Sequence, residues 1–381
     1  MSAVAVIGGG IGGLSAACAL AADGHEITLL ERAARFEAVG AGLVLTANAV
    51  RPLARLGVDL GADGQVLTRM QVCGRDGRSL SAIDLAGLAD MYGPSYGIAR
   101  PRLHSLLVAA LPPSVTVILG AAVTAVAESD GAVTVTCSGS EDRFDAVVAA
   151  DGLRSAVRTM VGGPGRLRYS HNTCWRGIVE LDSLGSGAVE AWGDGSRVGV
   201  VPVGGDRAYY YLVRVAPAGA APPASIAGLK AVFAGYAGVS GRLVDALTEW
   251  PPLHHDLFEL DQPYWGRGRV LLLGDAAHAM TPNQGQGAAM AIEDSVAVAG
   301  ALRPGPDAAL ERYRAARGRR VRQAQLASRR IGLLANLRGP GVATARDALA
   351  RLAPPNSTTS MMRRLIAAGL PSAGSVSPPR P

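Results

Sequence analysis

The sequence predicts an α/β protein with a Rossmann-like nucleotide-binding domain, an inserted antiparallel β-sheet domain and C-terminal helices. Three observations lead to this prediction. A strand, a glycine turn, a helix and a second strand follow one another in residues 2–32, and a turn-rich stretch of short apolar runs spans about 169–265. A further strand ends in Gly274-Asp275 before a long helix of small residues. The first and third patterns are typical of parallel α/β sheets, whereas the second is typical of hairpins.

The first strand, residues 3–7, leads into Gly8-x-Gly10-x-x-Gly13, and the second strand ends in Glu31. In this pattern Gly8 permits the tight turn, Gly10 lets the backbone come close to a pyrophosphate, and Gly13 lets the helix pack on the sheet. The helix N-terminus offers free N–H groups and a positive dipole end to phosphates. Because Glu31 stands where a carboxylate can accept ribose hydroxyls, this segment predicts dinucleotide binding.

Two alternatives compete with this interpretation. Glycine clusters arise by chance in a glycine-rich chain, and residues 3–22 are nearly all apolar, as in a signal peptide or a membrane helix. The segment lacks a positively charged start, and its block of five glycines suits neither. Since strand, turn, helix and acid are all in register, nucleotide binding is favoured.

Length, hydropathy and cysteine content set the class of the protein. The 381 residues suffice for two domains with a sizeable core, and no uninterrupted apolar segment outside the N-terminus is long enough to span a membrane. The four cysteines are scattered without a C-x-x-C spacing, which argues against a disulfide framework or a zinc site. We therefore expect a protein of the reducing cytoplasm that has no metal site.

Positive charge is concentrated near the C-terminus. The net charge is +6, Lys230 is the only lysine, and twelve arginines lie between Arg303 and Arg351. Nucleic-acid binding would explain such an excess, but no recognition motif or aromatic run accompanies it. We expect a solvated helical face and no nucleic-acid partner.

The stretch after the second strand is expected to contain a loop, a hairpin and a helix. Gly40 and Gly42 suggest a loop that comes close to the same cofactor. Weak alternation over 66–85 predicts a hairpin outside the parallel sheet. A helix is expected over about 98–111.

A second polar signal follows the strand predicted at 146–150. Asp151 stands directly after it, at the carboxyl end of the strand, where ligands collect in open α/β sheets. The alternative is an ordinary helix-capping aspartate. The other predicted elements are strands at 115–119, 121–128, 132–137, 175–181, 189–192, 198–203 and 208–215, helices around 226–236 and 241–248, a helix opened by Gly285-Gln286-Gly287, an arginine-rich helix from Pro304 to about Leu352, a final helix at 361–370 and a disordered end from Ser372.

The histidines offer two further hypotheses. His278 could be a base beside Asp275, but local packing or hydrogen bonding is favoured because no nucleophile accompanies it. His254 and His255 are adjacent, and adjacent residues of a strand point to opposite faces, so two ligands to one metal ion are disfavoured.

The three separated motifs, taken in order, resemble those of the single-component (group A) FAD-dependent aromatic monooxygenases of the para-hydroxybenzoate and salicylate hydroxylase type. The resemblance runs from residue 2 to about 335. It implies a three-layer ββα FAD-binding domain, a substrate-binding antiparallel sheet domain and a helical tail. The implied boundaries are 1–67, 98–168 and 266–335 for the FAD-binding domain, 68–97 and 169–265 for the substrate domain, and 336–381 for the tail, with about the last ten residues disordered.

The resemblance also implies roles for individual residues. The glycine turn and Glu31 would hold the ADP half of FAD, Arg100 rather than Arg102 would contact the cofactor near the pyrophosphate, and Asp275 would bind the ribityl chain. The loop from Pro282 would lie along the flavin ring, with a helix N-terminus near its pyrimidine side. The implied cofactor-binding residues are Gly8, Gly10, Gly12, Gly13, Glu31, Arg32, Gly42, Arg100, Asp151, Asp275, Pro282, Gly285, Gln286 and Gly287.

The implied reaction uses NADH or NADPH to reduce FAD, after which oxygen forms a flavin C4a-hydroperoxide that hydroxylates or epoxidises a small, aromatic substrate. An epoxidase or a flavin-dependent reductase shares the three motifs, whereas a halogenase is disfavoured because no W-x-W-x-I-P run is present. Catalytic residues are not assigned. Candidate substrate contacts are Arg176, Tyr211, Arg214 and Pro282, and the protein is expected to be a monomer or a homodimer.

Overall fold

The computed structural model describes residues 1–37, 40–354 and 356–369. The strands, in chain order, are β1 Ala3–Ile7, β2 Glu26–Glu31, β3 Gly42–Leu45, β4 Gln65–Leu67, β5 Arg69–Gly74, β6 Ser79–Asp84, β7 Ser95–Ala99, β8 Thr116–Leu119, β9 Val123–Ser129, β10 Ala132–Cys137, β11 Ser140–Phe144, β12 Ala146–Ala149, β13 Arg168–Glu180, β14 Gly187–Trp192, β15 Ser196–Pro202, β16 Arg207–Val215, β17 Leu253–Glu259, β18 Gly266–Arg267 and β19 Val270–Leu272.

The α-helices, in the same order, are α1 Ile11–Ala22, α2 Ala47–Arg55, α3 Leu85–Tyr92, α4 Arg100–Ala109, α5 Ala156–Met160, α6 Ile226–Val232, α7 Gly238–Ala246, α8 Asp275–His278, α9 Gly287–Leu302, α10 Ala309–Ala335, α11 Val342–Arg351 and α12 Ser357–Ala367. A single turn of 3-10 helix, Pro282–Gln284, precedes α9.

The six-stranded sheet has the order β18-β19-β12-β1-β2-β8, and all of its pairs except β18–β19 are parallel. From β8 to β19 this is the strand order 3-2-1-4-5 of a doubly wound nucleotide-binding fold. The order reverses between β1 and β12, so the crevice for a ligand lies where Gly8 and Asp151 follow these two strands.

Apolar side chains cover both faces of this sheet. Val4, Val6, Leu29 and other residues of one face pack against α1, α4 and α9. The alternate residues, such as Ala5 and Val147, pack against the antiparallel sheet β11-β10-β9. The result is the expected three-layer ββα arrangement.

The second large sheet has the order β17-β13-β16-β15-β14-β5-β6. The predicted hairpin at 66–85 is confirmed as β5–β6, which joins this sheet at its edge. One face of the sheet packs on α6 and α7 through residues such as Trp175, Tyr210 and Leu212. The opposite face carries Tyr209, which packs against Gly42 of β3. The approach is so close that a Cβ on Gly42 would lie 2.3 Å from the Tyr209 Cγ.

Several predicted element boundaries were wrong. The helix expected from residue 98 begins at Arg100, because residues 95–99 form strand β7, which pairs with β3 and β4. The helix expected from 304 to 352 is divided, since Gly339 and Gly341 adopt positive φ between α10 and α11. The predicted disorder from Ser372 lies outside the described residues, and the domain boundaries stay a prediction.

Arginines of the C-terminal helices correct another expectation. Arg317 and Arg346 are buried, and Arg320 and Arg329 form ion pairs with Glu293 and Glu259. These four side chains therefore hold elements together instead of forming a solvated face. None of the described helices is long and apolar enough to cross a membrane.

We predict that Gly199→Ala lowers the free energy of unfolding by about 1–3 kcal/mol. The Tyr211 ring lies flat over Gly199 in the sheet, and a Cβ there would stand 2.0 Å from Tyr211 Cζ. Urea unfolding measures the effect. The control is Gly187→Ala, where no atom lies within 4 Å of the new Cβ, and a change within about 0.5 kcal/mol is expected. Equal effects of the two substitutions would contradict the prediction.

Candidate functional site

The turn after β1 leaves space and free N–H groups for a phosphate. Gly8 has φ +108°, and a Cβ on Gly13 would lie 1.8 Å from the Gly8 carbonyl oxygen, so both positions require glycine. By contrast, a Cβ on Gly10 would meet no atom within 4 Å. The first turn of α1, which includes Gly12, has no side-chain cap. These uncapped donors beside an open surface fit a pyrophosphate.

Glu31 fixes the same turn from the end of β2. Its Oε2 accepts a hydrogen bond from the Gly9 N–H at 2.5 Å and its Oε1 accepts one from the Ala33 N–H at 2.8 Å. A carboxylate oxygen has lone pairs beyond these two bonds, so ribose hydroxyls can still be accepted. Arg32 beside it is exposed.

Asp151 presents an unused acceptor at the end of β12. Its Oδ2 accepts a hydrogen bond from the Val157 N–H in the first turn of α5 at 3.1 Å, although the N-cap residue of that helix is Ser155. Its Oδ1 is buried and has no partner among the described residues. Since unpaired buried oxygens are rare, this atom fits a hydrogen bond from a bound ligand.

Arg100 and Asp275 come together from two different parts of the chain. Arg100 opens α4, and its N–H donates to the Ala41 carbonyl at 3.1 Å, whereas Arg102 pairs with Asp63. Burial raises the pKa of Asp275, while the charges of Arg100, Arg176 and His278 oppose this rise. The Asp275 side chain is nevertheless accessible to solvent. A residue that is surrounded by protein yet accessible lines a cleft.

The N-terminus of α9 faces the site without a side-chain cap. Gly285 has φ +64°, and a Cβ on Gly287 would meet no atom within 4 Å. The Gln286 side chain is buried and donates to Thr46 Oγ1 at 3.2 Å, so it holds the loop while the backbone N–H groups of the helix stay available. Pro282 is exposed beside them.

A buried ion network holds α9 in place. Asp294 accepts hydrogen bonds from His278 at 2.5 Å and from Arg317 at 2.7 Å, and Glu293 accepts one from Asn48 at 2.7 Å. Burial raises the pKa of Asp294, but the charges and hydrogen bonds of His278 and Arg317 outweigh burial and hold it well below its usual range. The sequence favoured packing or hydrogen bonding of His278 near its own strand, whereas its hydrogen-bond partner Asp294 lies on α9 within this buried network.

The substrate candidates divide between the two faces of the second sheet. Arg176 of β13 is directly opposite Tyr211 of β16, so both point to the cleft side with Tyr209. Arg214 lies on the other face, with Tyr210, and the structure does not bring it to this cleft. As expected for adjacent strand residues, His254 stacks on Trp175 and His255 accepts a hydrogen bond from Arg176.

Three site residues escaped prediction: Glu190, Arg197 and Asn283. The Tyr211 hydroxyl donates to Glu190 at 2.5 Å, and Arg197 donates to Asn283 at 2.8 Å, next to Pro282. The Gly193-Asp194-Gly195 turn predicts a hairpin, and its register would have placed Arg197 opposite Trp192. No sequence signal points to the contact with Asn283, which crosses between two sheets.

The family model described as "FAD binding domain" matches residues 1–328. The aurachin C monooxygenase/isomerase of Stigmatella aurantiaca is 33% identical over 371 residues, which cover 95% of this chain and 97% of that protein. A 2-heptyl-3-hydroxy-4(1H)-quinolone synthase of Pseudomonas aeruginosa is 34% identical over 378 residues, with the same coverage of the two chains. The Klebsiella pneumoniae HpxO structure with FAD and uric acid superposes with a TM-score of 0.85 at 31% identity, covering 96% of this chain and 97% of that one.

We predict that Gly10→Ala weakens FAD binding by at least about tenfold, because the new methyl group fills the space beside the pyrophosphate donors. Gly10 has φ −78° and ψ −179°, which any residue adopts, so the apoprotein should keep its free energy of unfolding within about 0.5 kcal/mol. Quenching of flavin fluorescence measures affinity. The control is Gly300→Ala in α9, also in open space, which should bind FAD like the wild type. Unchanged affinity of Gly10→Ala would refute the assignment.

We predict that Asp294→Asn lowers the free energy of unfolding by about 3–5 kcal/mol, because it leaves the buried Arg317 guanidinium without one of its two carboxylate partners. Asp307→Asn removes the partner of Arg269, but the Asp307 side chain is 86% exposed, so at most about 1 kcal/mol is expected. Urea unfolding measures the loss of free energy of unfolding in each variant. Similar losses in the two variants would show that the buried network is not what stabilises α9.

The residues at the crevice fit the cofactor. The open face of Gly10, the unpaired Asp151 oxygen and the uncapped α1 and α9 termini are the features that a bound FAD would use. The matching family model spans all of them. The chain belongs to the FAD binding domain family and is a single-component (group A) FAD-dependent aromatic monooxygenase.

Proposed function

We propose that this monooxygenase hydroxylates a nitrogen-containing aromatic ring that carries a carbonyl or anionic oxygen, with NADH or NADPH as reductant. One relative named above is a 2-heptyl-3-hydroxy-4(1H)-quinolone synthase, and the HpxO structure contains uric acid; a quinolone and uric acid are both oxygen-bearing nitrogen heterocycles. Reduced FAD, when bound, supplies the activation of molecular oxygen. The protein residues bind and orient the ring and exclude water.

The observation that carries this proposal is a pair of arginines on the cleft face, Arg197 buried and Arg176 half-buried, that have buried and unused donor atoms. Nε of Arg176 and both Nε and Nη2 of Arg197 have no hydrogen-bond partner among the residues described. Buried guanidinium N–H groups left unpaired are costly, and an oxygen-bearing ligand relieves that cost. An aromatic ring without an oxygen substituent would leave them unpaired.

The pKa values of a neighbouring histidine and two tyrosines fix which of these groups accept and which donate at neutral pH. Burial and the charges of Arg176 and His254 lower the pKa of His255 to about 4, so at neutral pH His255 is uncharged and accepts from Arg176. Burial raises the pKa of Tyr209 and Tyr211 far above neutrality. Both tyrosines therefore stay protonated and serve as apolar walls with hydroxyl donors, not as bases.

The functional test is NAD(P)H oxidation by the FAD-loaded protein, followed with oxygen uptake and hydrogen peroxide release. The panel contains a 4(1H)-quinolone, urate, a hydroxypyridine and a hydroxybenzoate, and each product is weighed for one added oxygen atom. We expect a heterocycle to accelerate NAD(P)H oxidation without matching peroxide release. Hydroxybenzoate as the only coupled substrate would exclude the proposed class while leaving the monooxygenase activity intact.

We predict that Arg176→Gln raises KM for that substrate about 10- to 100-fold, because it removes a charged hydrogen-bond donor from the cleft. The matched control is Arg214→Gln in the neighbouring strand, which points to the opposite face and should change KM less than about twofold. Steady-state kinetics with equal flavin content in both variants is the measurement. Equal KM values in the two variants would remove Arg176 from the substrate site.

The oligomeric state and compartment form part of the proposal. The four cysteines are buried and unpaired with one another, which supports a reducing compartment. We infer a monomer or homodimer in the cytoplasm.

A further inference from the structure

The end of α10, the turn after it and α11 expose six large apolar side chains within twenty residues. We call them the leucine surface, and their exposed fractions are 63% for Leu333, 46% for Leu334, 40% for Leu337, 41% for Val342, 69% for Leu349 and 79% for Leu352. Single exposed apolar residues are ordinary, but a group of this size marks an interaction surface.

The spacing of these residues places them on the outward side of each helix. Leu333, Leu334 and Leu337 follow Arg330 at intervals of three, four and seven residues, which is one face of a helix. In α11 the residues Val342, Leu349 and Leu352 also share one face. The two helices share their inward side, since Ile331 of α10 and Ala350 of α11 pack on the same buried cluster, which contains Leu80, Trp192 and Ala335.

The inward side of both helices is firmly attached to the body of the protein. Arg346 is buried, donates to the Ala335 carbonyl at 3.1 Å and lies over the Trp192 ring at 5.4 Å. Gly332 approaches Asn283 so closely that a Cβ there would lie 2.4 Å from the Asn283 Nδ2. In α10 the apolar side lies opposite these buried contacts. In α11 Arg346 follows Val342 by one turn, so Val342 borders the buried side, whereas Leu349 and Leu352 lie further round toward solvent.

Positive charge accompanies the leucine surface. Arg330 and Arg338 are exposed beside it, and neither forms an ion pair in the described chain. Asp347 is the single acid among residues 333–352, and it pairs with Arg346 at 2.8 Å. The surface thus combines leucines with unneutralised arginines.

We propose that the leucine surface docks on the anionic face of a lipid bilayer, with α11 and the end of α10 lying in the plane of the interface. Acyl chains accept the leucines, and anionic headgroups pair with Arg330 and Arg338. A second copy of this chain is a poorer match: a two-fold contact would oppose arginines with arginines, and the exposed Asp194 carboxylate beside the turn after α10 already accepts a hydrogen bond from the Gly339 N–H at 2.8 Å. The proposal does not depend on the substrate.

The test is flotation of the FAD-loaded full chain with phosphatidylglycerol vesicles and with phosphatidylcholine vesicles. We expect binding to phosphatidylglycerol at low ionic strength, several-fold weaker binding at 0.5 M salt, and little binding to phosphatidylcholine. The double variant Arg330→Gln/Arg338→Gln should lose about fivefold in affinity per arginine. Leu349→Ser/Leu352→Ser should lose at least about tenfold.

Matched controls are Arg143→Gln, an exposed arginine of β11, and Leu253→Ser, a 43% exposed leucine of β17. Both controls should bind vesicles like the wild type, and every variant should keep its flavin content. Failure of the wild type to float with phosphatidylglycerol overturns the proposal, as does unchanged binding of the leucine variant. A wild-type dimer that the leucine variant converts to a monomer, without vesicle binding, would assign the surface to a second copy instead.

Discussion

The structure depends on a set of charges that water cannot reach. Glu293 and Asp294 of α9 are buried, and Arg317 of α10 contacts both. Removing such charges from water is costly, and only complete hydrogen bonding offsets that cost. Asn48 on α2 and His278 on α8 complete the hydrogen bonding of these two carboxylates. The helices α2, α8, α9 and α10 are therefore fixed relative to one another. The uncapped start of α9 therefore has a defined position at the flavin crevice.

The Arg197 side chain connects these helices to the second sheet. Arg197 extends from β15 to Asn283, which in turn donates to Thr281 Oγ1 and to the Ser328 carbonyl on α10. The sheet face proposed to meet the substrate and the loop expected to lie along the flavin ring are thereby joined by hydrogen bonds. For a monooxygenase this matters because oxygen activation without a correctly placed ring produces only peroxide.

Short-range patterns in the amino-acid sequence predicted most of the fold. Gly8, Gly10 and Gly13 act within one turn and one helix, and the parallel sheet that they imply is present. The sequence could not distinguish arginines that are solvated from arginines that are buried, because Arg317 and Arg330 occupy one helix with similar neighbours. Nor could it find contacts such as Arg176 with His255, since strand pairing between distant segments decides them. Arg214 was grouped with Arg176 for its charge alone, and strand alternation separates the two.

Alternation in β13 and β16 divides the second sheet into two independent sets of residues. Arg176, Tyr209 and Tyr211 meet the cleft, whereas Trp175, Tyr210 and Leu212 form the core with α6 and α7. A substitution at these alternate positions can therefore alter the shape and polarity of the cleft while the packing of the sheet against α6 and α7 stays in place. Evolution can explore new ring systems along one face while the other face preserves stability. This separation gives the scaffold a physical route to diversify its substrates, and it marks the alternate positions that directed evolution should randomise.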